Sequence, residues 1–378
     1  MTSNLSGTQP RQARRSNTSA VLQLLAQRGP LARADIAKEL SLNHASVGRI
    51  LDPLLADGIV RECARESSGI GRPRTPVELD PDGRFAIGIH LGVERTTIGL
   101  TDLTGRCVET YAEDRDPADH ATTVRRAGEL AAGLAARARG RVLGIGVVVG
   151  GDVDRTTGTV VRNEALGWYD VGVAEPLRRR TGLDVLVDSN ARAHLNAELT
   201  FGAGQGLRSV LYLFVGNVAE IGFVNHPAPL NADNIVHGSL RRIAVPKLTR
   251  DGDARFDECG TDLILLAAAR SAGLATPTLA DLVRLADEHD PTAVDLLTAH
   301  SAQVAVLADT VYDLMRPNLV ILGGSGAPTD RWLEVVRGQV ETVPPQSLTR
   351  PRATTNPLVT ASGSLVVRQF FAGQLRTW

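Results

Sequence analysis

The sequence predicts an α/β protein that carries a small, mainly helical unit at its N-terminus. After about residue 77, apolar strand-like segments alternate with helical segments, a pattern typical of layered α/β folds. Before that point, three short segments place apolar residues at helical spacing and are followed by the strand-like segment "IVREC". A chain of 378 residues is long enough for two or three domains with a sizeable core.

Composition narrows the class of protein. The contents of 43% hydrophobic and 22% charged residues are those of a globular protein. The three cysteines, Cys63, Cys107 and Cys259, are odd in number and far apart, which favours a reducing compartment without a disulfide framework. No apolar run approaches the roughly 20 residues of a membrane span, and the N-terminus lacks the apolar segment of a signal peptide. We therefore expect a cytoplasmic protein that does not enter a membrane.

Charge is divided unevenly along the chain. Residues 1–74 contain eleven Arg and Lys against six Asp and Glu, a net charge of +5, while the whole chain has a net charge of −1. A basic segment on an acidic body favours a polyanionic partner for the basic segment. We expect residues 1–16 to form a disordered basic tail.

Residues 17–76 predict a winged helix-turn-helix. A first helix carries Val21, Leu24 and Leu25 and stops at the Gly-Pro pair of residues 29–30. A second helix is expected at about 32–40 and a third at about 43–56, joined by the tight turn "SLN". Two short helices joined by such a turn, with polar residues at the start of the second, are typical of a DNA-reading helix pair.

The third helix would turn polar side chains away from its apolar stripe. Asn and Arg can read base edges, and Ser and His can hold phosphates. The Gly-, Ser- and Arg-rich segment 64–76 would form the wing, whose arginines would meet the DNA backbone or minor groove. The candidate DNA-binding residues are Arg33, Asn43, His44, Ser46, Arg49, Arg72 and Arg74. A three-helix protein-binding module and a bundle with a solvated polar face are the alternatives.

The body, residues 77–378, alternates strands with helices. Strands are expected at "FAIGIHLG", "TTIGLTDL", "RCVETYAE", "VLGIGVVVGG", "LDVLVDSN", "SVLYLFVG", "EIGFVNH" and "LVILGG". Helices are expected at 120–139, 171–181, 190–200, across 261–316, at 330–340 and after "GSL" near the C-terminus. The Pro-rich stretches 227–229 and 344–351 are expected to be loops.

From residue 17 onward the chain resembles the ROK family of repressors, open reading frames and sugar kinases, in its repressor branch. The stretches that carry the resemblance are "GIGVVVGGDVD", "ALGWYDV", "VDSNARA", "FGAGQGLRSVLYLFVG" and "LMRPNLVILGG". The resemblance implies an actin-like (ribonuclease H-like) body with a cleft between two lobes. One lobe would span about 77–190 plus the C-terminal helix, and the other about 191–360. It also implies assembly as a homodimer or homotetramer.

The resemblance also implies that phosphoryl transfer has been lost. The family's first phosphate motif begins with Asp and continues Leu-Gly-Gly-Thr, whereas residues 90–94 read His-Leu-Gly-Val-Glu. The second, a Gly-Thr-Gly-Ile-Gly type turn, reads Gly-Asn-Val-Ala-Glu at 216–220, so backbone amides suited to phosphate are lost. The kinases' catalytic Asn-Asp pair is Ser189-Asn190, and an amide cannot accept the sugar proton. Asp188, one residue earlier on a strand, would point to the opposite face. We therefore expect no enzymatic activity and no cofactor.

Sugar-recognition positions are altered as well. The family's Glu-x-x-His aligns with Ser239 and Arg242, or with His237 if the register shifts, and the Asn before "LGW" is Ala165. The family's zinc loop retains only Cys259, which cannot build a closed tetrahedral site, so we expect no metal. Two alternatives remain, a vestigial cleft and a cleft adapted to another effector. The candidate effector-binding residues are Asn163, Asn190, His237, Ser239, Arg242 and Asp262.

These patterns together favour a sequence-specific DNA-binding transcriptional regulator, and we expect it to act as a repressor. Its partners would be a double-stranded DNA operator, further copies of itself, and a small-molecule effector that is a carbohydrate or a derivative. Two alternatives remain: a sugar kinase with an appended DNA-binding head, and an effector-independent regulator whose body is only a scaffold.

Overall fold

A computed structural model describes most of the chain. The described residues are 10–64, 75–114, 119–225, 234–249, 251–276, 278–352 and 356–375. No helix in these segments combines the length and the apolar character needed to cross a membrane.

The N-terminal unit, called the head below, contains three helices and a small sheet. Its elements are α1 (Pro10–Arg28), β1 (Leu31–Ala32), α2 (Arg33–Glu39), α3 (His44–Ala56), β2 (Val60–Glu62) and β3 (Pro76–Leu79). The strands form an antiparallel sheet in the order β1-β3-β2. The apolar stripe of α3, formed by Val47, Ile50, Leu51 and Leu54, is buried against α1 and α2. The helical spacing of these residues is what the sequence pattern indicated.

The head's helices and strands extend beyond the residues 17–76 that the sequence pattern assigned to it. Residues 10–16, expected in a disordered tail, belong to α1, because a proline is tolerated in a helix's first turn and α1 packs on the body. The expected boundary at residue 76 falls inside β3, whose Val77 and Leu79 are buried in the head's core. The wing segment 65–74, with Arg72 and Arg74, lies outside the described residues.

The first lobe is built on a five-stranded sheet. Its elements are β4 (Arg84–Leu91), β5 (Arg95–Asp102), β6 (Cys107–Asp114), α4 (His120–Arg137), β7 (Arg141–Val149), β8 (Asp152–Asp154), β9 (Thr159–Asn163), β10 (Trp168–Gly172), α5 (Ala174–Thr181) and β11 (Val185–Ser189). The sheet order is β11-β7-β4-β5-β6, and β8, β9 and β10 form a separate antiparallel sheet. Residues of α4 and α5 share one apolar cluster with Ile87 and Ile89 of the central strand. These helices therefore cover one face of the large sheet.

The second lobe follows the same plan. Its elements are α6 (Asn190–Phe201), β12 (Ser209–Val215), β13 (Ala219–Asn225), β14 (Val236–Ser239), β15 (Ala244–Pro246), β16 (Asp253–Arg255), α7 (Phe256–Cys259), α8 (Asp262–Ser271), α9 (Leu279–Asp287), α10 (Pro291–Met315), β17 (Leu319–Gly324), α11 (Asp330–Arg337) and β18 (Leu348–Thr349). The sheet order is β14-β13-β12-β17-β18.

The C-terminal helix α12 (Pro357–Phe371) lies on the first lobe's sheet beside α6. It begins before the "GSL" after which the sequence pattern placed it, because Asn356 caps its first turn and its small residues allow a close approach. A β-carbon on Gly88 would lie 2.3 Å from the Val359 carbonyl, and one on Gly363 would lie 2.2 Å from the Thr101 hydroxyl. Glycines on both surfaces thus let the helix backbone sit directly on the sheet.

The head packs against the end of α12. Phe370, Phe371 and Leu375 belong to the same buried cluster as Leu22 and Leu25 of α1. One continuous apolar core therefore joins the head's helices to the body.

Candidate functional site

The N-terminal half of α3 presents a polar surface. Asn43 caps the helix, with its Oδ1 accepting a hydrogen bond from the Ser46 amide at 2.8 Å. Asn43, His44 and Arg49 are exposed, whereas Val47 is fully buried on the opposite side. Arg49 donates a hydrogen bond to the Ser46 hydroxyl at 3.2 Å, which holds its guanidinium along the helix. These four polar residues therefore share one accessible face.

Arg33, a predicted DNA contact, forms ion pairs within the head. Its guanidinium pairs with Asp52 of α3 at 3.1 Å and with Glu62 of β2 at 3.5 Å. These partly exposed pairs tie the start of α2 to its neighbours, and each contributes little stability on its own. Arg33 is therefore placed to orient α3, its side chain stays partly exposed, and its contact with DNA remains a prediction.

A polar pocket of about 60 Å³ lies between the two lobes. Its walls are the loop after β7 and the β9–β10 turn of the first lobe, and the β12–β13 turn, β14 and the α7–α8 segment of the second. The lining residues are Gly151, Asp152, Arg162, Asn163, Glu164, Ala165, Asn217, Val218, Glu220, Ser239, Arg241, Phe256, Asp257 and Thr261. Small-molecule pockets usually hold several hundred Å³. A ligand the size of a monosaccharide therefore requires these walls to separate.

Two of the predicted effector residues, Asn163 and Ser239, line this pocket. The Asn163 amide donates to the Gly150 carbonyl at 2.8 Å and accepts from the Leu166 amide at 3.0 Å, which fixes its orientation. Ser239 ends β14 opposite Glu220. The pocket wall is thus formed by side chains that strand pairing and a tight turn hold in place.

Glu220, with its neighbour His237, links the second lobe to the first beside the pocket. The Glu220 carboxylate is almost fully buried and accepts a hydrogen bond from the Gly151 amide of the other lobe at 2.5 Å. His237 Nε2 lies 3.7 Å from the second carboxylate oxygen. His237 therefore reaches the pocket through Glu220 and is not a lining residue.

A second link between the lobes crosses the pocket mouth. Arg241 Nη1 lies 2.5 Å from Glu164 Oε1, and this hydrogen bond is the main reason that the pKa of Glu164 is below its usual value. Arg242, the arginine singled out from the sequence, is exposed and does not line the pocket. The two arginines are neighbours in the turn between β14 and β15, which the Ile243 amide closes by donating a hydrogen bond to the Leu240 carbonyl at 2.9 Å, and this turn directs only Arg241 to the pocket.

Asn190 lies behind the pocket and not in its lining. A β-carbon on Gly150 would meet the Val218 side chain at 3.1 Å and the Asn190 amide nitrogen at 3.3 Å. Within the described residues, Asn190 Oδ1 has no hydrogen-bond partner. Asp188 is buried and its carboxylate pairs with Arg155 at 3.1 Å and with Arg192 at 3.0 Å. Asp188 is therefore held by two guanidinium groups, away from the pocket.

Two acidic residues from different lobes, Glu94 and Asp262, lie close enough to repel each other. Asp262 begins α8 beside Gly216, and burial is the main cause that raises its pKa to about 6. Glu94 of the β4–β5 turn raises this pKa further by repulsion, while Ser325 lowers it. Asp262, predicted as an effector residue, thus belongs to this neighbouring acidic pair and not to the polar pocket.

The residues around Cys259 do not fit a zinc ion. The thiol is buried, faces backbone carbonyls such as that of Ala254 at 3.8 Å, and burial raises its pKa. Gln303 fills the remaining space and donates to the Pro246 and Cys259 carbonyls. Across the described segments, no group of three His, Cys, Asp or Glu residues could hold a metal ion.

Sequence reasoning missed part of the pocket lining. Glu164, Asn217, Arg241 and Asp257 come from three different turns and from α7, and nothing in their spacing links them. The available signals were local. Glu164 directly precedes the segment "ALGW", and Arg241 directly precedes the predicted effector residue Arg242.

Comparison with known proteins agrees with this architecture. The model of the ROK family matches residues 86–363. A transcriptional regulator of Mycobacterium tuberculosis is 32% identical over 338 residues, which cover 82% of this chain and 74% of that protein.

Two solved structures share the fold. The first is a ROK family transcriptional regulator, a homologue of the Escherichia coli MLC protein. It has a TM-score of 0.73 and 21% identity, and the match covers 96% of this chain and 98% of that one. The second, a ROK family glucokinase from Streptomyces griseus with bound glucose and AMPPNP, has a TM-score of 0.64 and 20% identity, covering 74% and 98%. The chain therefore belongs to the ROK family, in the branch of its transcriptional regulators.

Proposed function

We propose that this chain is a transcriptional repressor that binds operator DNA through a winged helix-turn-helix and senses a small polyhydroxylated effector in its body. The observation that carries the proposal is the capped start of α3, where Asn43, His44 and Arg49 are exposed on one face. A helix with this surface fits the major groove, where Arg reads guanine and Asn reads adenine. We therefore assign α3 as the recognition helix and the segment 64–76, with Arg72 and Arg74, as the wing.

The head needs a second copy to be specific. One recognition helix contacts few base pairs, whereas two heads about one helical turn apart read a longer site. We propose that the body supplies this pairing as a homodimer or homotetramer. Sedimentation of the full chain should give two or four times the chain mass at micromolar concentration, and a monomer would contradict the proposal.

The body is proposed to be catalytically silent. The position of the kinase base is taken by Asn190, which cannot accept a proton, and the neighbouring Asp188 is engaged by two arginines. Glu94 belongs to the segment that resembles the kinases' first phosphate motif, where a carboxylate would repel phosphate, and it already repels the Asp262 carboxylate. We expect no product when the protein is incubated with ATP and a panel of hexoses, and measurable turnover would favour the kinase alternative.

The pocket between the lobes is the proposed effector site. Its amide, hydroxyl, carboxylate and guanidinium groups suit the hydroxyls of a carbohydrate, and it bridges two lobes that a ligand could hold together or apart. The solved glucokinase of the same fold carries glucose, which supports a sugar or a derivative as the first ligand class to test. Calorimetry with sugars and sugar phosphates should give saturable binding, and its absence would favour the scaffold alternative.

DNA recognition can be tested with matched variants. Operator fragments are selected from genomic DNA with the full-length protein, and affinities of Arg49→Ala and Arg270→Ala are then compared by gel shift. Losing one bidentate base contact corresponds to about 1–3 kcal/mol, so Arg49→Ala should weaken operator binding at least fivefold. Arg270, exposed in the last turn of α8, should have no effect. Equal affinities of the two variants would remove the assignment of α3.

A further inference from the structure

A second, larger cavity lies where the head meets the body. It has a volume of about 500 Å³, within the roughly 300–1,000 Å³ range of small-molecule sites. Its walls come from α1, from α3 and from the end of α12. The lining residues are Arg14, Arg15, Thr18, Ile50, Pro53, Leu54, Asp57, Phe371, Gly373 and Leu375. None of them belongs to the polar pocket between the lobes.

The lining combines an apolar wall with a cationic edge. Ile50 and Leu54 of α3 face Phe371 and Leu375 of the C-terminal segment, so most of the interior is hydrocarbon. These side chains belong to the core that joins head and body, and the cavity is a gap in that core.

The polar groups of the cavity carry unequal charge. Two guanidinium groups, Arg14 and Arg15, stand against the single carboxylate of Asp57. Arg15 also donates a hydrogen bond to the Gly373 carbonyl, which anchors it at the cavity edge. Arg14 is exposed one residue earlier on the same helix. The balance favours an occupant with one negative charge, because a second would meet Asp57.

We propose that this junction cavity binds an amphipathic organic anion, namely a carboxylate on an alkyl chain. The chain would lie between Ile50, Leu54 and Phe371, and the carboxylate would meet Arg14 and Arg15. A guanidinium forms short, charge-assisted hydrogen bonds with a carboxylate. A polyphosphate fits poorly because the interior is apolar, and a neutral hydrocarbon leaves an excess of one positive charge, since Asp57 balances only one of the two guanidinium groups.

Occupancy would be coupled to DNA binding, a consequence that rests on the proposed function of α3. Ile50 and Leu54 are on the buried side of the helix whose opposite side carries Arg49. A ligand wedged between this helix and α12 changes how the head sits on the body. Coupling between two sites is reciprocal, so the factor by which the anion changes operator affinity equals the factor by which operator changes anion affinity.

Calorimetry on the full-length protein tests the site without DNA. Decanoate is the probe, decanol the neutral chain of equal length, and acetate the anion without a chain. We expect saturable 1:1 binding of decanoate, with decanol at least tenfold weaker and acetate not detected, because a charged hydrogen bond contributes about 1.5–3 kcal/mol. Equal affinity for decanoate and decanol, or no binding of decanoate, overturns the proposal.

Variants of residues in and near the cavity test whether decanoate binds there. Arg14→Gln should weaken decanoate at least tenfold and leave decanol unchanged, while Arg28→Gln, exposed at the end of the same helix, should change neither. Thr18→Trp should fill the cavity and abolish binding of both probes. If Arg14→Gln and Arg28→Gln bind decanoate alike, the anion binds elsewhere and the proposal fails. If decanoate binds only to a variant ending at Leu375, residues 376–378 fill the cavity in the complete chain and the proposal likewise fails.

The coupling is read separately, by operator gel shift with and without saturating decanoate. A change in operator affinity of about fivefold or more is expected, the lower end of typical coupling. Binding of decanoate without any effect on operator affinity overturns the coupling but leaves the site in place. Binding of decanoate to a protein that has no operator contradicts the proposed function and not the cavity.

Discussion

Variants of Asn43 can separate the contribution of this residue to the stability of α3 from its proposed contribution to DNA binding. Its side-chain oxygen accepts the Ser46 amide at 2.8 Å, so Asn43→Ala removes the cap of α3. Asn43→Asp keeps an oxygen in the same place and adds a negative charge at the helix N-terminus. Asp and Asn cap helices about equally well, whereas alanine is poor.

Asn43→Ala should therefore lower the melting temperature, whereas Asn43→Asp should keep the melting temperature and lower the operator affinity. Loss of the cap costs about 1 kcal/mol, which lowers the melting temperature by about 2 °C, while Asp retains the cap and gains up to about 1 kcal/mol from the helix dipole. If α3 enters the major groove, the added carboxylate lies about 5–6 Å from a phosphate. Coulomb's law then gives about 1–3 kcal/mol of repulsion between water-like and surface dielectric constants. This corresponds to a 5- to 100-fold loss of operator affinity.

The assay pairs thermal melting with operator gel shift on the same preparations, at two salt concentrations. We expect Asn43→Asp to melt at or above the temperature of the natural chain yet bind operator 5- to 100-fold more weakly, with a smaller penalty at high salt because screening weakens the repulsion. Operator affinity of Asn43→Asp equal to that of the natural chain would refute the placement of the α3 N-terminus against DNA.

Three other outcomes follow from the geometry. Arg241→Ala should weaken the effector found by calorimetry at least tenfold and Arg242→Ala should not, since only the former lines the pocket; the reverse order would refute the pocket assignment. Burial raises the pKa of Asp262 to about 6, whereas the carboxyl of the unfolded chain has a pKa near 3.9, so the folded protein binds the carboxyl proton more tightly. The free energy of unfolding therefore decreases as the pH rises from about 4 to 6. Asp262→Asn should raise the melting temperature at pH 7 and leave it nearly unchanged at pH 4; equal shifts at both would contradict this. Gly363→Ala should destabilise by several kcal/mol, whereas Gly133→Ala, which would meet only the end of a flexible arginine, should be tolerated; equal melting temperatures would contradict the close packing of α12.

Local sequence signals predicted the elements that need only one segment of chain. The spacing of Val47, Ile50 and Leu54 predicted α3 and its buried side, and Asn43 stands where a helix cap is favoured. Alternation of apolar strands and helices predicted the layered body. The sequence pattern was less informative where small residues allow two elements to pack closely. The "GSL" of α12 looked like a break because glycine lowers helix propensity, whereas its small surface is what lets the helix lie on the sheet.

The sequence by itself determined the periodicity of the helices and strands and the residue types at the helix ends, because each is a property of residue types at fixed local spacing. Tertiary structure decided the rest. It placed Arg241 and not Arg242 at the pocket and brought Glu164 to it from the other lobe. It also joined α1 and α3 to the end of α12 in one core. Such contacts join residues that are distant along the chain, and a turn decides which of two neighbouring arginines reaches the pocket, so no local pattern of residue types can specify them.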